Sequence, residues 1–210
     1  MFKKINRVTK VLISHYFILS SAWGLVSPIF AIFLLEDISS SPAEVAKIAG
    51  FASLIYWVLK SILQIPISSY LDKNHGEKDD FYFLITGICL TSLVPFGFAF
   101  SSFVWHIYAL GVLHAIGMAL VVPSRGAMFA RHIDKGQEAY EWAMNSTCLG
   151  LGAGIMGAIG GIMASIYSFR LIFILTGIFS FLSALVIFLI KDSVATTDKE
   201  TVRVSKYIEQ

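Results

Sequence analysis

Apolar residues run along this chain in six long blocks, at 11–35, 45–71, 81–100, 104–123, 143–166 and 171–190. Each reaches the roughly 20 residues that a helix needs to cross a hydrocarbon layer about 30 Å thick. Polar and charged residues collect between the blocks, at 36–44, 72–80, 101–103, 131–141 and 167–170. Open sheets are excluded in lipid, because no water satisfies their edges, and a helical bundle is left. The expected fold is therefore all-α: a polytopic membrane protein of six transmembrane helices. One membrane domain covers residues 1–210, and residues 192–210 read as a polar cytoplasmic tail.

Composition agrees. Charged residues make up 14% of the chain and the mean hydropathy is +0.74, whereas a soluble domain carries about 25% charge. The charges also orient the bundle. With the N-terminus inside, the inner segments hold Lys3, Lys4, Arg7, Lys10, Lys73, Lys78, Arg125, Arg131, Lys135, Lys191, Lys199, Arg203 and Lys206. The outer segments hold only Lys47 and Arg170. That bias predicts cytoplasmic termini and a multi-pass protein of the plasma membrane. A net charge of +2 gives no support to a nucleic-acid partner. The first apolar run is 25 residues, too long for the apolar core of a signal peptide.

Chemistry for an enzyme is not visible. Cys89 and Cys148 sit alone within apolar spans and read as small buried hydrophobes. No metal-ligand cluster, phosphate loop or nucleophile elbow appears, so neither enzyme nor cofactor is expected. What remains is ionisable residues at depth. Lys60 lies 12 residues before Asp72, about 18 Å along a helix, near the bilayer midplane. A lipid-facing Lys there costs at least about 2.5–3.5 kcal/mol, so it should face the bundle interior or a wet cavity. Ser53, Tyr56, Lys60 and Gln64 fall in steps of three, four and four, one polar stripe on span two. His114 is also at mid-depth, where it can exchange a proton or only bond a neighbouring helix. Lys60, Gln64, His114 and Tyr56 are the candidate solute-binding residues. His15 and His106 fall nearer span ends and read as interfacial.

No Asp or Glu lies inside any span. With Lys60 and His114 the only such candidates, an anion is the favoured charge for a bound solute. Gly150, Gly154, Gly157 and Gly161 form a stripe on span five, a face that lets another helix approach closely. Pro28 in span one and Pro123 in span four hint at an inverted 3+3 repeat, since the two spans run in opposite directions.

Three segments resemble the major facilitator superfamily. Ser68-Ser69-Tyr70-Leu71-Asp72-Lys73-Asn74-His75-Gly76-Glu77-Lys78 resembles its signature loop between the second and third helices, with Asp72, Lys73 and Gly76 matching. The run from His114 to Pro123 is similar to the family's fourth helix, with His114 in place of a Gln and Gly111 in place of an Arg. Gly152, Gly160 and Gly161 match a fifth-helix motif in which Gly157 replaces Pro. The resemblance implies transport of a small solute by alternating access. It also implies that Asp72, Lys73, Gly76 and Arg125 form a charge network gating the cytoplasmic mouth. Six helices are half of a usual member, so a homodimer or a separate second half is expected in the bilayer. A non-transporting scaffold or sensor of the same fold, or an inactive truncated transporter, is the alternative.

The orientation is testable by single-cysteine labelling in intact cells, on a background lacking Cys89 and Cys148. A cysteine at Ser40 should react with an impermeant maleimide and one at Lys135 should not. The reverse pattern would invert the topology.

Overall fold

The computed structural model describes residues 5–73 and 77–191. Gly76 and the tail 192–210 lie outside the described residues. All regular structure among the described residues is helical. Helix α1 is Arg7–Val26 and α2 is Phe30–Phe33, running into a π-helical turn at Leu34–Ile38. Then come α3 (Pro42–Lys73), α4 (Glu77–Ala99), α5 (Val104–His132), α6 (Glu138–Ala164) and α7 (Phe169–Ile187), which ends in a 3-10 turn at Phe188–Ile190.

Local chemistry sets the boundaries. Asn6 caps α1 by accepting from the Thr9 amide at 2.9 Å. The break between α1 and α2 follows from Pro28, which has no amide to donate and whose ring crowds the carbonyl four residues back. The two segments meet at 42°; taken together as one broken span, they bring the candidate spans among the described residues from five to six. Pro123 behaves differently: it sits inside an uninterrupted α5, as Pro66 and Pro95 do in α3 and α4. The two prolines that hinted at a repeat therefore do not act alike.

Packing gives the repeat a firmer basis. The main helix pairs are α1 with α6, α3 with α5, α4 with α5, α1 with α7, and α4 with α7. Exchange the first three spans for the last three, so that α1 becomes α5, α3 becomes α6 and α4 becomes α7. The pair α1–α6 then maps onto α5–α3, α4–α5 onto α7–α1, and α4–α7 onto itself. The pattern closes on itself, as a 3+3 bundle of inverted repeats requires.

Among the described residues the interior holds two large cores and a smaller cluster of Leu25, Ile29 and Ile172. At the end of the bundle where α1 begins, Leu12, Leu84, Ile88, Met128, Phe129 and Ile187 form one core. At the opposite end, Phe33, Leu34, Ile48, Phe98, Ile107 and Phe173 form another. Phe33 meets Phe173 edge-on there, with centroids 4.8 Å apart. Helix α3 lies at the periphery and exposes Phe51, Leu54, Trp57, Ile62 and Ile65. In a bilayer such a face meets acyl chains or another protein surface.

Helix α6 approaches α1 through glycine, by a face other than the stripe noted above. A Cβ on Gly24 would stand 2.7 Å from the Ala153 carbonyl oxygen, and one on Gly160 would run into the Leu25 carbonyl. Gly150, Gly154 and Gly161 have open space where a side chain would go, and Gly157 comes only within 3.5 Å of the Gly24 carbonyl. Small residues on facing helices allow this backbone contact.

Gly160→Val should therefore destabilise the chain by about 1–3 kcal/mol, the usual cost of overpacking. Gly150→Val should be nearly neutral in the isolated chain. Thermal unfolding in detergent compares them, and equal melting points would place the seam elsewhere.

Candidate functional site

Between the two cores, α1, α3 and α5 leave an aromatic cavity. One lobe of about 320 Å³ is lined by Tyr16, Leu19, Ser20, Trp23, Tyr56, His114, Met118 and Ala153. A second lobe of about 610 Å³ extends toward the opposite end, past Phe30, Ser53, Trp57 and Gly111. Trp23, Ser27, Tyr56 and His114 line both lobes.

Each of these side chains arrives for a local reason. His114 and Met118 are four residues apart on α5, so both point the same way. Gly111 sits one turn before His114 and leaves space in place of a side chain. Trp23 precedes Gly24, whose contact with α6 fixes the rotation of α1. The Trp23 indole lies flat on the His114 imidazole, with centroids 4.0 Å apart and planes within 5°. Tyr56 covers the same imidazole at 4.8 Å and 35°. Three rings from three helices thus converge, and stacked rings of this kind are worth about 0.5–1.5 kcal/mol per pair beyond area burial. Among the described residues the lining offers π-faces, the hydroxyls of Ser20, Ser27 and Ser53, and no carboxylate.

The other candidates lie outside the lining. Lys60 is half-buried, with its ammonium 4.7 Å from the Trp57 ring centroid and 5.7 Å from that of Tyr56. Aromatic faces hold this cation, a contact worth up to about 2 kcal/mol when desolvated. Gln64, one turn further along α3, is half-buried, and neither residue lines a lobe. Asp72 and Lys73 are exposed at the end of α3.

Arg125 is not at the surface mouth. It is 7% exposed, stacks on Tyr16 with Cζ 3.8 Å from the ring centroid, and donates to Oδ1 of Asn145. No ion pair joins it to Asp72 among the described residues. The ionic contact at this end is instead between Arg131, at the end of α5, and Asp80 and Glu77 in the first turn of α4. Asn6 adds a second tie, donating to the His132 carbonyl and, from its amide, to Asp134 at 3.2 Å. Sequence reasoning missed Asp80 and Glu77, although two acids three residues apart at a helix start were a visible signal. It also set His15 at an interface, whereas His15 is fully buried.

Comparison with known proteins agrees with this architecture. The family model described as Major Facilitator Superfamily matches residues 12–207. An uncharacterized MFS-type transporter of Methanocaldococcus jannaschii is 26% identical over 184 residues, covering 87% of this chain and 45% of that protein. The multi-drug resistance efflux pump PmrA of Streptococcus pneumoniae is 28% identical over 187 residues, covering 88% of this chain and 45% of the pump. A PmrA homolog of Lactococcus lactis is 25% identical, covering 77% and 38%. The chain spans about half the length of the curated relatives it matches.

The ionic tie generates a prediction. Arg131→Ala leaves Asp80, whose side chain is 1% exposed, without its cation. The expected loss is about 2–3 kcal/mol, less than for a fully buried pair because Arg131 is 39% exposed. Adding Asp80→Asn should restore most of it. Denaturation in detergent micelles measures both, and a double variant no better than Arg131→Ala would count against the pair.

Proposed function

The chain belongs to the Major Facilitator Superfamily, and from that premise we propose that it carries small ring-bearing solutes across a membrane by alternating access. The observation that carries the reading is the Trp23–His114–Tyr56 stack between the two lobes. Rings that border a cavity accept a flat solute through stacking and area burial, with little demand for a particular hydrogen-bond pattern. Broad acceptance of that kind fits the printed name of the pneumococcal relative, a multi-drug resistance efflux pump. In this proposal the chain works in the plasma membrane with both termini in the cytoplasm, as the Lys/Arg bias favours.

The chain acts as one of two six-helix bodies, the other being a second copy or a separate second half. The peripheral, apolar face of α3 supports this, as does the length of the relatives. Halves of this kind are related by an axis along the membrane normal. The loop bearing Asp72, Lys73 and Gly76 forms the cytoplasmic gate, and the Arg131–Asp80 pair stiffens the helices beside it. Lys60 stands at the rim, where it meets solute entering between the bodies.

Proteoliposomes test the reading with two fluorescent probes of opposite charge, ethidium and fluorescein. Time-dependent movement of at least one probe above chain-free vesicles is expected. Trp23→Ala and His114→Ala should each slow it at least tenfold with insertion unchanged, and Lys60→Met less than threefold. A folded chain that moves neither probe would favour a non-transporting scaffold.

A further inference from the structure

Past Met118, beyond the lining of either lobe, α5 carries a buried cation that the ring stack does not use. Positions 114, 118 and 125 of α5 are separated by four and seven residues, one and two helical turns, so Arg125 projects from the cavity-lining face. Its Cα lies about 10 Å beyond that of Met118, toward the end where α1 begins. Tyr16 borders the cavity, and its ring also covers the guanidinium, with Cζ 3.8 Å from the centroid. From α6, Asn145 accepts from Nη2. The Nε–H of Arg125 is buried and has no acceptor. No carboxylate among the described residues forms an ion pair with it, and no acid lies in any apolar block of the sequence.

A guanidinium more than nine-tenths buried is costly unless an anion meets it, because an amide oxygen and a ring face carry only partial charge. Its planar donors match a carboxylate, which accepts two parallel N–H bonds where chloride accepts from a point. The cavity that Tyr16 borders is lined by rings. Charge and cavity therefore specify the two ends of one molecule.

We propose that Arg125 anchors the carboxylate of a small aromatic acid whose ring lies in the cavity with Trp23, Tyr56 and His114. This rests on the cavity being the solute site, and it moves the charge-selecting residue from Lys60 to Arg125. The Tyr16 ring, now stacked on the guanidinium, turns aside to admit the carboxylate. Asn145 stays on Nη2 and holds the fork in place.

The test is equilibrium binding of radiolabelled benzoate to the purified full chain in nanodiscs, in methanesulfonate buffer at fixed ionic strength. Competitors are benzyl alcohol, which keeps the ring without the charge, acetate, which keeps the charge without the ring, and chloride. Saturable benzoate binding is expected, with each competitor at least tenfold weaker. Arg125→Gln should weaken benzoate at least tenfold and Arg125→Lys less, while Arg170→Gln, at the opposite end of the bundle, should leave it unchanged. Should benzyl alcohol compete as well as benzoate, with Arg125→Gln silent, the anion site is overturned and the aromatic cavity stands. Equal competition by chloride would make the site one for an inorganic counter-ion, and the proposal fails. A folded chain that binds no benzoate overturns it as well. If Arg125→Gln does not fold, the ranking of the competitors on the unaltered chain decides.

Discussion

The contact between α1 and α6 at Gly24 and Gly160 is the constraint from which the rest of the site follows. Backbone meets backbone there, with no room for a methyl group at either position. Such a seam leaves a helix no freedom to rotate, because any turn would drive a side chain into a carbonyl. With α1 locked, Trp23 must leave the seam toward α5, where His114 receives it flat. Seven residues earlier, two turns along the same helix, Tyr16 is directed onto Arg125. The cavity and the cation beyond it are thus consequences of one close approach on the other side of α1.

Lipid imposes the second constraint, the placement of polar groups. Away from the cavity, ionic contacts gather at the end where α1 begins. There Asp80, Glu77 and Arg131 tie α4 to α5, and Asn6 with Thr9 ties α1 to the His132 carbonyl. Two hydroxyls at depth bond within their own helices, Ser92 to the Ile88 carbonyl at 2.7 Å and Ser183 to that of Ser180 at 2.6 Å, while Ser20 reaches across to the Leu149 carbonyl of α6. Arg125 departs from this economy, deep in the bundle with an amide and rings around it.

Much of the fold was legible in the sequence, because a 20-residue apolar run has few readings in lipid. Six spans follow from that alone, with Pro28 marking the break in the first. The site was legible by depth and less so by direction. His114 was picked out for its mid-span position and Tyr56 for its place in the polar stripe, and both border the cavity. Lys60 and Gln64 share the stripe of Tyr56, yet one turn of helix carries them past the lining, to where Trp57 takes the Lys60 charge. A helical repeat says which residues share a face; it does not say how far along that face the neighbouring helix extends. The glycines of α6 make the same point. Positions 150, 154, 157 and 161 are spaced for packing, and so are 152 and 160, and only the partner helix chooses between them. For His15, distance from a span end suggested an interface, while its direction into the bundle put it in the dark.

The first span runs from one large core to the other, with the bend at Pro28 on the way. Leu12 and Ile13 of α1 belong to the core at one end, while Phe33 and Leu34, past the bend, belong to the core at the other. The link between them, residues 27–29, is exposed at Ser27 and Pro28, and Pro28 has no amide for a helical ladder. The bend therefore costs no hydrogen bond that residue 28 would have donated, while Val26 before it shares a core with Phe33 and Leu34 beyond it, and Leu25 packs in one cluster with Ile29. Ser27 borders both lobes of the cavity. The bend and the cavity thus share a wall at Ser27, so the direction in which the chain leaves α1 also shapes the space beside it.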